Sequence, residues 1–432
     1  MVTGVYCFRN DLRLQDNPTL QIARNECDQL FLVYSFEERL WKAQHPKRIS
    51  SHRAKFILES LACLDENIQK RGGELHFLYG NIEIAIPRFM ERVGANFCYI
   101  SQENAWEEKE AEDALSRKVP TQVDHSKTLV HLNDLPFLLE DLPKTFSKFR
   151  KLVEKQWVVR PSLAMIDTLN SPSLPLTKLP SLTDLGFPPS RPYPINYYDF
   201  LGGVSAGKKR IKQWMWEKHG VANYKNTRNQ LQGPDFSSRF SPWISSGCLS
   251  PREIYWEVKH YESQYGSNES TYWLIFELLW RDFFHFTAKL YGPKIFQSRG
   301  MHPERPSITE PQNAEALFSQ WKNGMTRNLF INANMNELRE TGWMSNRGRQ
   351  NTASYLINDL GLDWRRGAQW FEEQLIDYDP CSNYGNWLYL SGYGNDPLKK
   401  RHFNTTKQAE VYDPKGNYIR DWGRLRNSPI SN

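Results

Sequence analysis

Four stretches of this 432-residue chain concentrate side chains that can do chemistry. In STYWLIFELLWRDFFHF (270–286), Glu277, Trp280 and Arg281 recur at i, i+3 and i+4 and share one helix face. The other faces are nearly all apolar, so the helix is buried, and a buried carboxylate and guanidinium must pair or line a cavity. In ETGWMSNRGRQNTASYL (340–356), Asn346, Arg349 and Gln350 share a face in the same way, and amide side chains there can read the edges of a heterocycle. Arg347 points elsewhere, toward solvent and phosphate. SSRFSPWISSGCLSPRE (237–253) clusters hydroxyls with arginine, which suits a phosphate cradle. It closes on Ser250-Pro251-Arg252-Glu253, a capping box with proline at the first helical position. LIDYDPCSNYGNWLYLSGYGNDP (375–397) sets Asp377 and Asp379 one residue apart in a loop rich in Asn and Gly. With no histidine or third carboxylate nearby no metal is expected, and hydrogen bonding to a heterocycle's N–H groups is the alternative. Taken alone, each stretch also has a plain structural reading: an internal ion pair, a polar helix surface, a capping loop, an Asx cluster.

The elements that must hold these residues fall into two classes. Over residues 1–132, buried strands at VYCF (5–8), QLFLVYSF (29–36), LHFLYG (75–80) and ANFCYIS (95–101) alternate with helices at about 49–69, 81–93 and WEEKEAEDAL. That alternation predicts an α/β domain built on a doubly wound parallel sheet of the Rossmann-like kind. Its first turn, RNDLRLQDNP, has no glycine, so the dinucleotide fingerprint is absent, as is any Walker motif. Residues 133–204 read as an interdomain linker, with eight prolines between 161 and 194. From 205 to 432 helical patterns dominate, at 207–219, 250–262, 270–290, 313–322, 333–342, 346–360 and 365–375, and an all-α domain is predicted.

Composition narrows the class without fixing it. A net charge of +6 permits a basic groove but also fits an ordinary enzyme. Six scattered cysteines without a CxxC pair suggest neither a disulfide framework nor a zinc site, and fit a reducing compartment. The N-terminus lacks the regions of a signal peptide and no segment approaches a membrane span, so a cytoplasmic protein is expected. Of fifteen tryptophans, twelve lie beyond residue 200, where they can pack a core, stack on bases or carry electrons.

Together FRNDLRLQDNP, FSPWISSGCLSP, FELLWRDFF, MSNRGRQN, LGLDWRRGAQWFE and DYDPCSNYGNW resemble the photolyase/cryptochrome family over nearly the whole chain, and MSNRGRQ, GNDP, RHFN and KQA its DASH branch. The resemblance implies an α/β antenna domain and a helical domain holding FAD in a U shape. By matching position, Tyr224, Ser237, Ser238, Arg239, Phe240 and Ser241 would bind the phosphates and ribityl chain. Arg281 would sit close to FAD, Arg349 would pair with Asp377 beside the ring, and Asp379 would accept from the isoalloxazine or the adenine side. Asn383 would face N5, where an amide favours the anionic reduced flavin. Glu277 and Asn346, also placed beside the cofactor, would hydrogen-bond a flipped thymine dimer; Trp280, Gln350 and Tyr389 would complete its pocket, and Arg347 would contact the DNA backbone.

The resemblance further implies light-driven repair of cyclobutane pyrimidine dimers by an electron from excited FADH⁻, preferentially in single-stranded or looped DNA, with RNA as a further partner. Trp387 and Trp364 match an electron relay whose usual distal tryptophan falls at Pro311, leaving Trp343, Trp321 or a tyrosine to take the electron out. Trp343 itself stands where phenylalanine is expected and would narrow the pocket. The basic stretch LKKRHF would strengthen contacts with single strands. A methenyltetrahydrofolate antenna is expected between the domains, touching Glu108. The alternative is a blue-light receptor that binds nucleic acid or a protein without repair; (6-4) photoproduct repair would need a histidine beside Asn346.

Overall fold

The computed structural model describes residues 1–42, 47–175, 177–189, 200–306, 308–396 and 401–424. Five strands, β1 (Thr3–Phe8), β2 (Gln29–Phe36), β3 (Leu75–Tyr79), β4 (Phe97–Ser101) and β5 (Thr121–Asp124), pair in parallel in the order β3-β2-β1-β4-β5. Helices α1 (Pro18–Glu26), α2 (Ser51–Gln69), α3 (Ile82–Val93) and α4 (Trp106–Ser116) cover its two faces. Alternate residues serve opposite cores, as the pleat requires: Val5, Cys7, Phe31 and Val33 meet Ile86, Phe89 and Leu115, while Tyr6, Phe8 and Leu32 meet Leu20, Phe56 and Leu61. This is the predicted doubly wound sheet. The half-polar β5, TQVD, carries too little apolar signal to be read from sequence.

The segment read as a linker holds a helix, α5 (Phe146–Lys155), whose Phe146, Phe149 and Val153 are buried. The C-terminal half is helical among the described residues: α6 (Val204–Ile211, continued by a π-helical turn Lys212–Glu217), α7 (Pro251–Tyr265), α8 (Glu269–Tyr291), α9 (Ala314–Lys322), α10 (Leu329–Thr341), α11 (Asn346–Ser354, continued by Tyr355–Asp359), α12 (Trp364–Gln374), α13 (Pro380–Ser391), α14 (Thr405–Tyr412) and α15 (Asn417–Arg424). No helix is long and apolar enough to cross a membrane among the described residues.

The predicted capping box starts α7: the Ser250 side chain accepts from the Arg252 amide, and Glu253 accepts from the Ser250 amide at 3.1 Å. Arg252 does not face a phosphate cradle. It donates to the two oxygens of Asp16 at 2.7 and 3.0 Å, across the junction of the two halves. Gly247 makes this junction possible, because its φ is +72° and a Cβ there would lie 2.2 Å from the Asn10 carbonyl oxygen.

Candidate active site

Most of the predicted site residues converge on one cavity of about 300 Å³ inside the helical half. The loop 237–241 supplies Ser237, Ser238, Arg239, Phe240 and Ser241, and Tyr224 stands beside it. Arg239 holds a left-handed φ of +55°, and its guanidinium lies 4.5 Å from the centre of the Trp343 ring, which walls the same cavity. One face of α8 brings Glu277 and Arg281, and one face of α11 brings Asn346, Arg349 and Gln350. Asp377, Asp379, Asn383 and Trp387 close the far side.

The segment read as a loop over 375–397 contains a helix, α13, over Pro380–Ser391. Asp379 is the N-cap of α13, accepting from the Ser382 amide at 2.6 Å, with Pro380 at the first helical position. This helix turns Asn383 and Trp387 toward the cavity one turn apart. The Asn383 side-chain amide donates to the Ala368 carbonyl at 3.0 Å, which ties α13 to α12. Trp387 lies flush against α12, where a Cβ on Gly367 would come within 2.1 Å of its ring.

Charge inside the cavity is arranged in pairs. Arg349 donates to both oxygens of Asp377 at 3.0 and 2.8 Å, and the Ser241 hydroxyl donates to the same carboxylate at 2.6 Å. Glu277 is held by Arg228 at 2.8 Å. Burial pushes the Glu277 carboxyl up, and Arg228 only partly offsets it. Burial also works against the Asp379 carboxylate, but His285 and Arg281 outweigh it and hold that carboxyl well below its usual range.

Two of these partners escaped the sequence reading. Arg228 follows Tyr224 by one helical turn, so spacing alone could have placed it at the cavity. His285 lies one turn beyond Arg281 on α8 and approaches Asp379 to 3.1 Å. The expectation that no histidine stands near the aspartates is thereby corrected; the turn of α8, not the local sequence, brings it there. Burial, then Arg281, push the His285 imidazole down, while Asp379 pulls it up. The Asn104 amide donates to its Nδ1 at 3.0 Å, which leaves the ring proton on Nε2, toward Asp379. Cys381 completes a compact trio with them, but burial pushes its thiol well up, which disfavours the thiolate a metal would need.

Five sequence-selected residues lie outside this cavity. Trp280 lies flat on Phe146 of α5, with centroids 3.8 Å apart, and edge-on to Tyr389 at 5.5 Å. Both lie at the periphery of the cavity, where the segment read as a linker covers one face of Trp280. The Tyr389 hydroxyl accepts from Arg401 at 2.7 Å. Arg347 donates to Asn229 at 3.2 Å and lies over the Tyr412 ring. Trp364 is fully buried and donates to the Ser298 carbonyl at 3.1 Å. Glu108 lines a second cavity of about 130 Å³ between the two halves, with Arg9, Arg48, Arg53 and Glu372; burial, then Glu103, push its carboxyl up to about 7. The lysines of LKKRHF, Lys399 and Lys400, lie outside the described residues.

The main cavity fits a flavin dinucleotide on its own chemistry. Gln350 Oε1 is buried there without a hydrogen-bond partner, a cost that an N–H of any bound heterocycle, flavin or base, would remove. Trp387, Phe371 and Leu278 offer apolar walls for a ring, and the serines of the 237–241 loop offer hydroxyls for a polar tail.

Comparisons with known proteins agree. The family described as the FAD binding domain of DNA photolyase matches residues 273–429, and that described as DNA photolyase matches residues 4–167. The chain is 42% identical to Cryptochrome DASH of Synechocystis sp. over 99% of its own length and 88% of the relative's. It is 44% identical to Cryptochrome DASH of Xenopus laevis over 96% and 81% of the two lengths. The solved Synechocystis sp. PCC6803 cryptochrome superimposes with a TM-score of 0.92 at 42% identity, over 99% of this chain and 90% of that one. A photolyase from Sulfolobus tokodaii, solved with two FAD molecules, gives 0.79 at 26% identity, over 99% of this chain and 92% of that one. Fold, cavity and sequence agree: this chain is an FAD protein that belongs to the photolyase/cryptochrome family, in its DASH branch.

Proposed function

We propose that the chain splits cyclobutane pyrimidine dimers in DNA under blue light, preferring single-stranded or looped DNA. The observation that carries this reading is the sharing of one cavity by two sets of residues. Glu277, Asn346 and Gln350 can grip a base edge, while Arg349, Asp377 and Asn383 can grip a flavin. A cyclobutane ring has no polar bond to hydrolyse, and bound FAD, reduced and excited by light, supplies the single electron that weakens it. The chain's residues do the rest. Glu277 and Asn346 hydrogen-bond the thymine edges and stabilise the charge that develops on the dimer. Arg347, for which no ion-pair partner is found among the described residues, takes a backbone phosphate. Trp280 and Tyr389 meet the extruded bases at the rim. The Arg349–Asp377 pair fixes the ring, and Asn383 offers an amide, which gives up no proton at neutral pH. Glu108 contacts a folate antenna in the second cavity.

One observation favours a second reading, a blue-light receptor that binds nucleic acid or a partner protein without repair: Glu277 and Trp280 are already engaged within the chain, by Arg228 and Phe146. A single experiment decides. The purified flavoprotein, chemically reduced, is illuminated with single-stranded, looped and duplex oligonucleotides carrying one dimer. Repair fastest on the first two supports the proposal; intact dimers on every form, with a light-dependent change in partner affinity, overturn it.

A further inference from the structure

The cavity wall contains an oxidisable side chain, Trp387, whose ring abuts α12 at Gly367, one turn along from Trp364. Two aromatic branches run through this region, one from Trp387 and one from Trp364. One runs from Trp387 to Trp321, with ring centroids 6.4 Å apart, and from Trp321 to Phe318 and Phe371. It ends on phenylalanines, which give up an electron far less readily than indole or phenol. Trp321 also donates its N–H to the Thr352 carbonyl at 3.0 Å, an acceptor that cannot keep a proton. The other branch runs from Trp364 to Tyr384, edge to face at 6.1 Å. The Tyr384 hydroxyl points at Glu372 Oε2, 3.4 Å away. Glu372 is buried, is fixed by Arg48 through its other oxygen at 2.7 Å, and faces the second cavity. Among the described residues on these two branches, the Glu372 carboxylate is the acceptor that can take a proton, and such contacts are commonly long before a reaction tightens them.

We infer that Tyr384 is the terminal electron donor of the relay that reduces the flavin, and that Glu372 is the base that takes its proton. The inference rests on the flavin reading above. When an electron leaves Trp387 for the oxidised, photoexcited flavin, Trp364 refills Trp387 and Tyr384 refills Trp364. The Tyr384 O–H bond breaks as the electron departs, and the proton moves to Glu372 Oε2. A neutral phenoxyl radical remains, and return of the electron is slowed because the proton must return with it. A soluble thiolate then supplies one electron to the radical, the proton comes back from Glu372, and tyrosine is restored. Pro311, where a distal tryptophan is expected by resemblance, therefore does not break the relay.

The test is flash photolysis and spin-resonance spectroscopy of the oxidised holoprotein, with Y384F, E372Q and W321F alongside it. The unaltered protein should show a neutral tyrosyl radical formed as the tryptophan radical decays, with slower formation in D₂O. Y384F should lose that signal and most stable flavin reduction per flash. It should keep its flavin content, and after chemical reduction it should repair at the unaltered rate. E372Q should lose the D₂O-sensitive step while the Tyr384 ring stays in place. Absence of a tyrosyl signal in the unaltered protein, or loss of stable reduction in W321F but not Y384F, overturns the inference. A protein that binds no flavin, or that leaves dimers intact after chemical reduction, overturns the function reading instead.

Discussion

The junction between the two halves and the cavity in the helical half are both lined by buried charge, yet they treat it oppositely. At the junction, Asp16 is fully buried and every oxygen is used: Arg252 donates to both, the Leu163 amide to one and the Ser250 hydroxyl to the other. In the cavity, Gln350 Oε1 has no partner, and Glu277 is half-buried with a single cation on it. A saturated network fixes architecture and has nothing left to offer a ligand. An unsaturated one costs stability until a ligand arrives. Between these two places, satisfaction of polar groups, more than charge or burial, marks the difference.

The comparison breaks most sharply if Asp16 is removed. D16A leaves the Arg252 guanidinium buried and unpaired, and about 3–5 kcal/mol of stability should be lost in urea unfolding. Repair per folded flavin should be unchanged. Next in size is R349M, which strips the hydrogen-bonded cation from Asp377 and should weaken flavin retention by about 1.5–3 kcal/mol, read as flavin per protein after gel filtration. E277Q keeps shape and removes charge. Repair by the reduced enzyme should fall on the order of tenfold or more, with flavin content and melting temperature nearly constant; an equal loss of flavin would place Glu277 in the scaffold. The smallest effect is a slope. Glu108 has its carboxyl raised to about 7, so the folded chain holds a proton there that the unfolded chain has already lost. Stability should therefore fall as pH rises from the ordinary carboxylate range through about 7. E108Q should flatten this dependence in melts taken across that range.

The buried strands at 5–8 and 29–36 were legible because unbroken apolar runs leave little choice, and Glu277, Asn346, Arg349 and Gln350 because helical spacing forces them onto shared faces. The α13 helix was missed although Asp379-Pro380 carries a capping signal, because the Asn and Gly that follow weigh toward a turn. Nothing local in the sequence around Trp280 announces Phe146, which arrives from the segment read as a linker, more than a hundred residues earlier. Spacing from Tyr224 reaches Arg228 itself, but its pairing with Glu277, like that of Asp379 with His285, is a product of packing between elements.

The contact of Phe146 with Trp280 also decides where this protein can be cut. A truncated chain starting at residue 205, where the helical pattern begins, would shed α5 and leave the indole face of Trp280 bare to water, beside Phe276 and Phe283, which also touch Phe146. Such a fragment would carry a sticky apolar spot at the mouth of its own pocket and self-associate there. The smallest well-behaved excision of the flavin half has to begin ahead of Thr145, inside what sequence presents as mere tether.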